Sequence, residues 1–378
     1  MHSYRVNHHN EGVELIFGRL VEANLHDLVC FAKAGEGKRF REQLVRVASG
    51  IAGKLCDRPV CLETASTFAE VIETIHLGSL VIDDIQDASH SRRGRPALHM
   101  RFGVPLSINA GNWLYFSALE QLTVAAHITG ARRTEATSLL LTAMREAHEG
   151  QAIDLGVDMF ATDRPRARAV VELASSKKTG ALMSAAFGLG YLTAGEPSDH
   201  RYQAFRDFGH EWGLALQMLD DLGSLLKSVN GELPIERCFE DFRNGSPSFV
   251  WVLADELLDS FNYDRFRNFA KSSRAPLGTN FENWRSDFED IARKSSFFSY
   301  GLLKAKDRIE GAIAKFVLAL NLESEIAIQS KIAFEIDQLS NLCRNLEAAY
   351  GNFEQYEKCP TENSAGEPGA EIFKEVIG

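Results

Sequence analysis

Alternation of polar and apolar residues, the mark of half-buried strands, is nearly absent from this chain; apolar residues return instead at the spacing of one helix face. Leu15, Ile16, Leu20, Val21, Leu25 and Leu28 make one such stripe. Leu44, Val45, Val47, Ala48, Ile51 and Ala52 make a second, within about 40–55. A third runs from about Leu62 to Asp87, and a fourth, after Asn109, is apolar enough to suit a core helix. Turn signals separate the stripes at Arg93-Gly94-Arg95-Pro96, Gly195-Glu196-Pro197-Ser198 and Asn244-Gly245-Ser246-Pro247, and 271–280 reads as a polar loop. The fold class is therefore all-α. With 378 residues and 45% hydrophobic content the chain can bury a sizeable core. Residues 11–357 are expected to form a single all-helical domain. A flexible N-terminus (1–10) and a flexible tail rich in Pro, Gly, Ser and Glu (358–378) flank it.

Charge narrows the partners. A net charge of −11 argues against nucleic acid, which would want a basic stripe, but not against an anionic small molecule held through metal ions. The six cysteines form no CxxC pair and read as reduced. No apolar run is long enough for a transmembrane segment, and the N-terminus lacks the apolar core of a secretory signal, so a cytoplasmic protein is expected.

The most informative segment is Ile75-His76-Leu77-Gly78-Ser79-Leu80-Val81-Ile82-Asp83-Asp84-Ile85-Gln86-Asp87. On a helix, Asp83 and Asp87 lie one turn apart on one face with Asp84 beside them. Three carboxylates so close repel, and cations remove the repulsion. Hard oxygen ligands with room left for phosphate oxygens suit Mg²⁺. A solvated acidic helix end is the plainer reading of the same residues. His76 lies two turns back on the same face, and Arg92-Arg93-Gly94 follows closely. Paired arginines beside an acidic cluster suit a diphosphate gripped by metal ions and guanidinium forks, although a basic surface turn would look the same. A second acidic pair, Asp220-Asp221, sits on an apolar helix with Gln217 one turn before and Ser224 one turn after. Between the clusters lie Gly150-Gln151-Ala152-Ile153-Asp154 and Lys177-Lys178-Thr179-Gly180, the latter able to offer an ammonium and a hydroxyl to a phosphate.

Together these residues resemble the polyprenyl synthetase family, the trans-isoprenyl diphosphate synthases. The likeness covers a motif-bearing core at 35–249 and is carried by Gly37-Lys38-Arg39-Phe40-Arg41, His76, Asp83-Asp84-Ile85-Gln86-Asp87, Arg92-Arg93-Gly94, Gly150-Gln151, Lys178-Thr179 and Gln217-Met218-Leu219-Asp220-Asp221. His76–Phe116 looks most like geranylgeranyl diphosphate synthases. The resemblance implies the isoprenoid synthase fold, an antiparallel helix bundle around a deep central cavity whose mouth the two acidic motifs face. It implies a homodimer. It implies a Mg²⁺-dependent head-to-tail condensation of an allylic diphosphate with isopentenyl diphosphate. Carried over by position, Asp83, Asp84, Asp87, Asp220, Asp221 and Ser224 would hold the metal. Arg92, Lys178, Thr179, Gln217 and Arg237 would meet the allylic diphosphate. Lys38, Arg41, His76 and Arg93 would hold isopentenyl diphosphate. Gly78 and Ser79, five and four residues before Asp83, are small and would leave the floor open for a product of geranylgeranyl length or longer.

The chain departs from the family pattern at Ser224 (usually Asp or Asn), Arg237 (usually Lys), Ser246 (usually Lys), Glu42 (usually Pro) and Leu216 (often Phe). Most of these lie on the second-motif side. A terpene synthase or prenyltransferase of the same fold, or a non-catalytic regulatory subunit of a hetero-oligomeric synthase, are the alternatives they leave open.

Overall fold

The computed structural model describes residues 25–34, 37, 39–128, 130–233, 237–274, 281–320, 337–338 and 341. The helices are α1 (25–33), α2 (Phe40–Leu55), α3 (Leu62–Gln86), α4 (Leu98–Phe102), α5 (Val104–Val124), α6 (Gly130–Gly156), α7 (Arg164–Ser175), α8 (Ala181–Tyr191), α9 (His200–Asn230), α10 (Glu240–Asn244), α11 (Phe249–Leu257), α12 (Ser260–Ser272), α13 (Phe281–Lys294) and α14 (Phe297–Ala319). A π-helical turn, Ser176–Gly180, joins α7 to α8. Among the described residues the β structure is one antiparallel pair of two-residue strands, β1 (Ser91–Arg92) and β2 (Arg95–Pro96). The all-α expectation therefore holds.

The chain forms two compact units. Of the described residues, one unit takes those up to 40 together with 70–125 and the other takes 41–69 together with those from 126 onward, so the boundary falls inside α3. In the first unit Leu28, Val81, Leu98 and Ala110 form a buried cluster, with Phe31 and Phe102 meeting edge to face at 5.7 Å beside it. Helices α3 and α5 approach unusually closely. A Cβ on Gly78 would lie 2.9 Å from the Gly111 carbonyl oxygen and 3.0 Å from the Tyr115 ring; one on Gly111 would lie 2.8 Å from Ile82 Cδ1. Gly78, expected from the sequence to leave the floor open, has no room for a side chain of its own, because α5 occupies that space. By length and hydropathy α3 could span a bilayer, but half of that stretch is buried inside the protein, as a core helix would be.

In the second unit α9 is the central element and packs on α8 and α14. Phe187, Phe205, Phe208 and Phe316 fill the space between them, with ring centroids 4.7–5.5 Å apart. A second aromatic cluster, including Phe242, Trp251, Phe266, Phe269, Phe288 and Phe297, ties α10–α14 together largely through edge-to-face contacts. Phe297 and Phe298 are buried, as core residues should be, and Tyr300 donates its hydroxyl to Glu256 at 2.9 Å.

Helix α9 begins with an acid. Asp199 caps it, accepting from the Arg201 amide at 2.9 Å, and its carboxylate is gripped by the Arg201 guanidinium. Those bonds hold the Asp199 carboxyl well below the usual carboxylate range. Its contribution to stability is therefore full at neutral pH and fades as the pH falls below about 4 towards the folded-state value. Asp199→Ala should cost about 1 kcal/mol or more at pH 7 and flatten the acid limb of a plot of unfolding midpoint against pH, measured by urea titration from neutral to acid. An unchanged acid limb would remove Asp199 from this account.

Candidate active site

Helix α3 ends in a left-handed residue, Ala88 (φ 51°). The Ser89 amide reaches back to the Asp84 carbonyl at 2.9 Å and the Ala88 amide to the Ile85 carbonyl at 3.3 Å, the paired bonds of a Schellman stop. The chain then turns through Arg93 and Gly94, both at positive φ (52° and 73°), as a two-residue hairpin with the right twist requires. This hairpin returns Arg92 to the end of α3. Arg92 Nε donates to Asp84 Oδ1 at 2.7 Å, and its Nη2 lies 3.4 Å from Asp83 Oδ2. The Asp84 side chain is only 5% exposed, so the guanidinium compensates a carboxylate that water cannot reach. Burial, with Asp83 nearby, pushes the Tyr115 phenol up to about 12. Asp84, Arg92, Arg93, Leu77, Leu80 and Phe31 are among the residues lining a cleft here.

The second acidic cluster is built differently. The π-turn Ser176–Gly180 lies against α6 at Gly150, where a Cβ would be 2.4 Å from the Lys178 amide nitrogen. From this turn Lys178 Nζ donates to Asp154 Oδ2 on α6 at 2.6 Å. Thr179 donates its hydroxyl to Gln217 Oε1 at 2.6 Å, and Gln217 Nε2 donates to Asp221 Oδ1 at 2.8 Å. Asp221 Oδ2 also accepts from the Phe249 amide at 2.6 Å. Burial pushes the Asp221 carboxyl upward, Asp241 and Asp220 add to this, and the Phe249 and Gln217 bonds oppose it. Asp241 is pushed up to about 7 by burial and by Asp154, Glu240 and Asp220, with Lys178 opposing.

The structure thus brings Lys178, Thr179, Gln217, Asp220 and Asp221 into one neighbourhood, and Asp83, Asp84 and Arg92 into another. The remaining site residues are placed as follows. Asp87 is half-buried in the last turn of the Schellman stop, and Ser224 is half-buried one turn past Asp220. Arg41 is 9% exposed in the first turn of α2. His76 is half-buried on α3, and its carbonyl accepts from the Ser79 hydroxyl at 2.7 Å. Arg93 is exposed, its guanidinium packed over the Gly37 backbone. Lys38 lies outside the described residues. Arg237 is turned towards Glu240, 3.7 Å away, a local pairing that its sequence position did not suggest.

Asp154 and Asp241 were missed as members of the second cluster. Asp154 stands one helical turn after Gly150, and that spacing could have found it; Asp241 follows a turn whose path the sequence does not specify.

No three His, Cys, Asp or Glu side chains among the described residues are arranged to cage a metal by themselves. The donor set is still of the right kind. Asp220, Asp221 and Asp241 lie close enough to raise one another's proton affinity, and Mg²⁺ is usually held by one or two carboxylates plus substrate phosphate oxygens.

The comparisons agree with this chemistry. The polyprenyl synthetase family model matches residues 23–275. A geranylgeranyl diphosphate synthase of Sulfolobus acidocaldarius is 31% identical over 242 residues, covering 63% of this chain and 68% of that one. One of Saccharolobus solfataricus is 27% identical over 330 residues, covering 85% and 91%. The crystal structure of a geranylgeranyl pyrophosphate synthetase from Pyrococcus horikoshii superposes with a TM-score of 0.64 at 24% identity, covering 87% of this chain and 96% of that one. With a model match over more than half its length and the isoprenoid synthase fold, this chain belongs to the polyprenyl synthetase family of trans-prenyl diphosphate synthases and is a prenyltransferase.

Proposed function

We propose that the chain condenses an allylic diphosphate with isopentenyl diphosphate in a Mg²⁺-dependent reaction, releasing geranylgeranyl diphosphate or a longer chain. One observation carries this reading: Lys178 bonds to Asp154, and Thr179 from the same turn is joined through Gln217 to Asp221, so that a lysine, a hydroxyl and buried carboxylates share one neighbourhood in which Asp220, Asp221 and Asp241 repel one another. Such a cluster is costly unless something divalent belongs there. Asp83, Asp84 and Asp87 at the end of α3 would hold ions, as would Asp220, with Asp221 in support, on α9. Ser224 offers a weaker oxygen. When bound, Mg²⁺ supplies neutralisation of the charge that grows on the departing diphosphate.

The chain's own residues do the rest. Lys178 donates to the same charge once a diphosphate competes with Asp154 for it. Thr179 and Gln217 orient Asp221 through an unbroken chain of hydrogen bonds. Arg92 either stays with Asp84 or turns its fork to the substrate. Lys38, Arg41, His76 and Arg93 are assigned to isopentenyl diphosphate on the family resemblance. Its double bond attacks the allylic cation, and the proton lost from the adduct leaves with the diphosphate. The apolar side chains that α5 leaves exposed, Trp113 and Phe116 among them, suit the homodimer the resemblance implies.

The decisive assay is purified protein with Mg²⁺ and farnesyl diphosphate, with and without isopentenyl diphosphate. Linear product that needs both substrates and disappears with EDTA is expected. Hydrocarbon or alcohol from farnesyl diphosphate alone would replace this reading with a cyclase. No turnover with retained substrate binding would replace it with a regulatory subunit. Asp220→Asn should lower kcat by about 10²-fold or more while leaving the thermal midpoint nearly unchanged, because the side chain is exposed.

Product length offers a separate test. Ser79→Phe should shorten the product, read by chromatography of the dephosphorylated alcohols. Gly78→Phe should instead destabilise the protein by roughly 1–3 kcal/mol or more, because α5 occupies the space. Product of unchanged length from Ser79→Phe would remove that residue from the pocket floor.

A further inference from the structure

A π-turn is rare and persists where its surroundings force it. In this one the Ala181 amide reaches back five residues to the Ser176 carbonyl. Gly150 of α6 presses on its middle. From α9, His210 holds both of its ends. His210 Nε2 and Ser176 Oγ share a 2.8 Å hydrogen bond at the first residue. At the last residue the imidazole lies flush against Gly180, where a Cβ would be 2.8 Å from His210 Cδ2 and 2.9 Å from Nε2. One turn along α9, Gly213 gives the same close approach, its Cβ position lying 3.0 Å from Gly180 Cα. From the clamped turn Lys178 and Thr179 bond to Asp154 and Gln217, and Lys177 bonds to Glu149 at 2.5 Å.

We propose that His210 is a positioning residue, which through Ser176 holds the π-turn in register and so aims Lys178 and Thr179 at the diphosphate. The physical reason is the register itself. If the turn relaxed to an ordinary α-helical turn, the residues beyond the slip would rotate by about 100°, and Lys178 and Thr179 could not both keep their partners. The imidazole suits the task because it is largely desolvated, which lowers its affinity for a proton and favours the neutral ring. The charged groups around it are Glu211 at 3.9 Å, itself bonded to Arg308, together with Asp207 and Glu146. His210 and Ser176 carry no assigned role in the reaction, and neither belongs to the motifs on which the family resemblance rests. The ligand in this inference rests on the function proposed above; the geometry of the turn does not.

The test compares wild type with Ser176→Ala, His210→Phe, the double variant and His210→Gln, whose amide can replace Nε2. The readouts are KM for farnesyl diphosphate, KM for isopentenyl diphosphate, calorimetric affinity for the unreactive farnesyl thiodiphosphate with Mg²⁺, and the thermal midpoint. The expected result is a loss of about tenfold in allylic affinity and KM for either single variant. The double variant should be no worse than the singles, and His210→Gln should recover most of the loss. The KM for isopentenyl diphosphate should stay within about twofold, since Lys178 and Thr179 are assigned to the other substrate. Variants that fold but bind both substrates like wild type would overturn the proposal, as would an equal loss for both substrates. Should His210→Phe not fold, Ser176→Ala, which removes a single hydroxyl, decides by the same criteria. Wild type that fails to bind the analogue would instead overturn the proposed function, so the two failures are distinct.

Discussion

The constraint on which everything else depends is that carboxylates removed from water need a positive partner. Asp84 has Arg92, Asp154 has Lys178, and Asp221 has two N–H donors, the Gln217 amide group and the Phe249 backbone. Each arrangement needs a particular piece of backbone. A Schellman stop and a positive-φ hairpin fold Arg92 back over the helix it has just left. A π-turn, backed by a glycine on the neighbouring helix, brings Lys178 within 2.6 Å of Asp154. The helices supply rigidity, but the chemistry is placed by the irregularities between and within them.

This division explains what could be read from the sequence. Helix content followed from the period of the apolar residues, and the two acidic motifs stood out because charge at the end or in the middle of an apolar stripe is costly. A turn was legible at Arg93-Gly94-Arg95-Pro96, but not that it closes a strand pair. The π-turn was not: one extra residue in a turn leaves the apolar period of the flanking helices intact, and Ser176-Lys177-Lys178-Thr179-Gly180 reads equally well as ordinary helix. Asp241 was hidden for another reason. It joins the second cluster from α10, far along the chain from Asp154 and Asp220, and proximity of that kind is a property of packing. The close approach of α5 at Gly78 was not legible either, because a small residue looks the same whether it leaves room for a ligand or for a neighbouring backbone.

The departures from the family pattern gain physical content as well. Arg237, standing where lysine is usual, is drawn to Glu240, its neighbour one turn on. Ser224 keeps an oxygen but no charge in the place of a carboxylate, while Asp154, Asp241 and Glu240 add negative charge beside Asp220 and Asp221. Two of the departures thus fall on a wall whose electrostatics already involve more residues than the motif itself contains.

The contact between α3 and α5 at Gly78 and Gly111 also limits how descendants of this protein could diversify. Where two helices touch through bare backbone, neither can gain a side chain without the other giving way. A lineage starting here has that evolutionary route closed, and variation along α3 must come at positions other than this glycine contact.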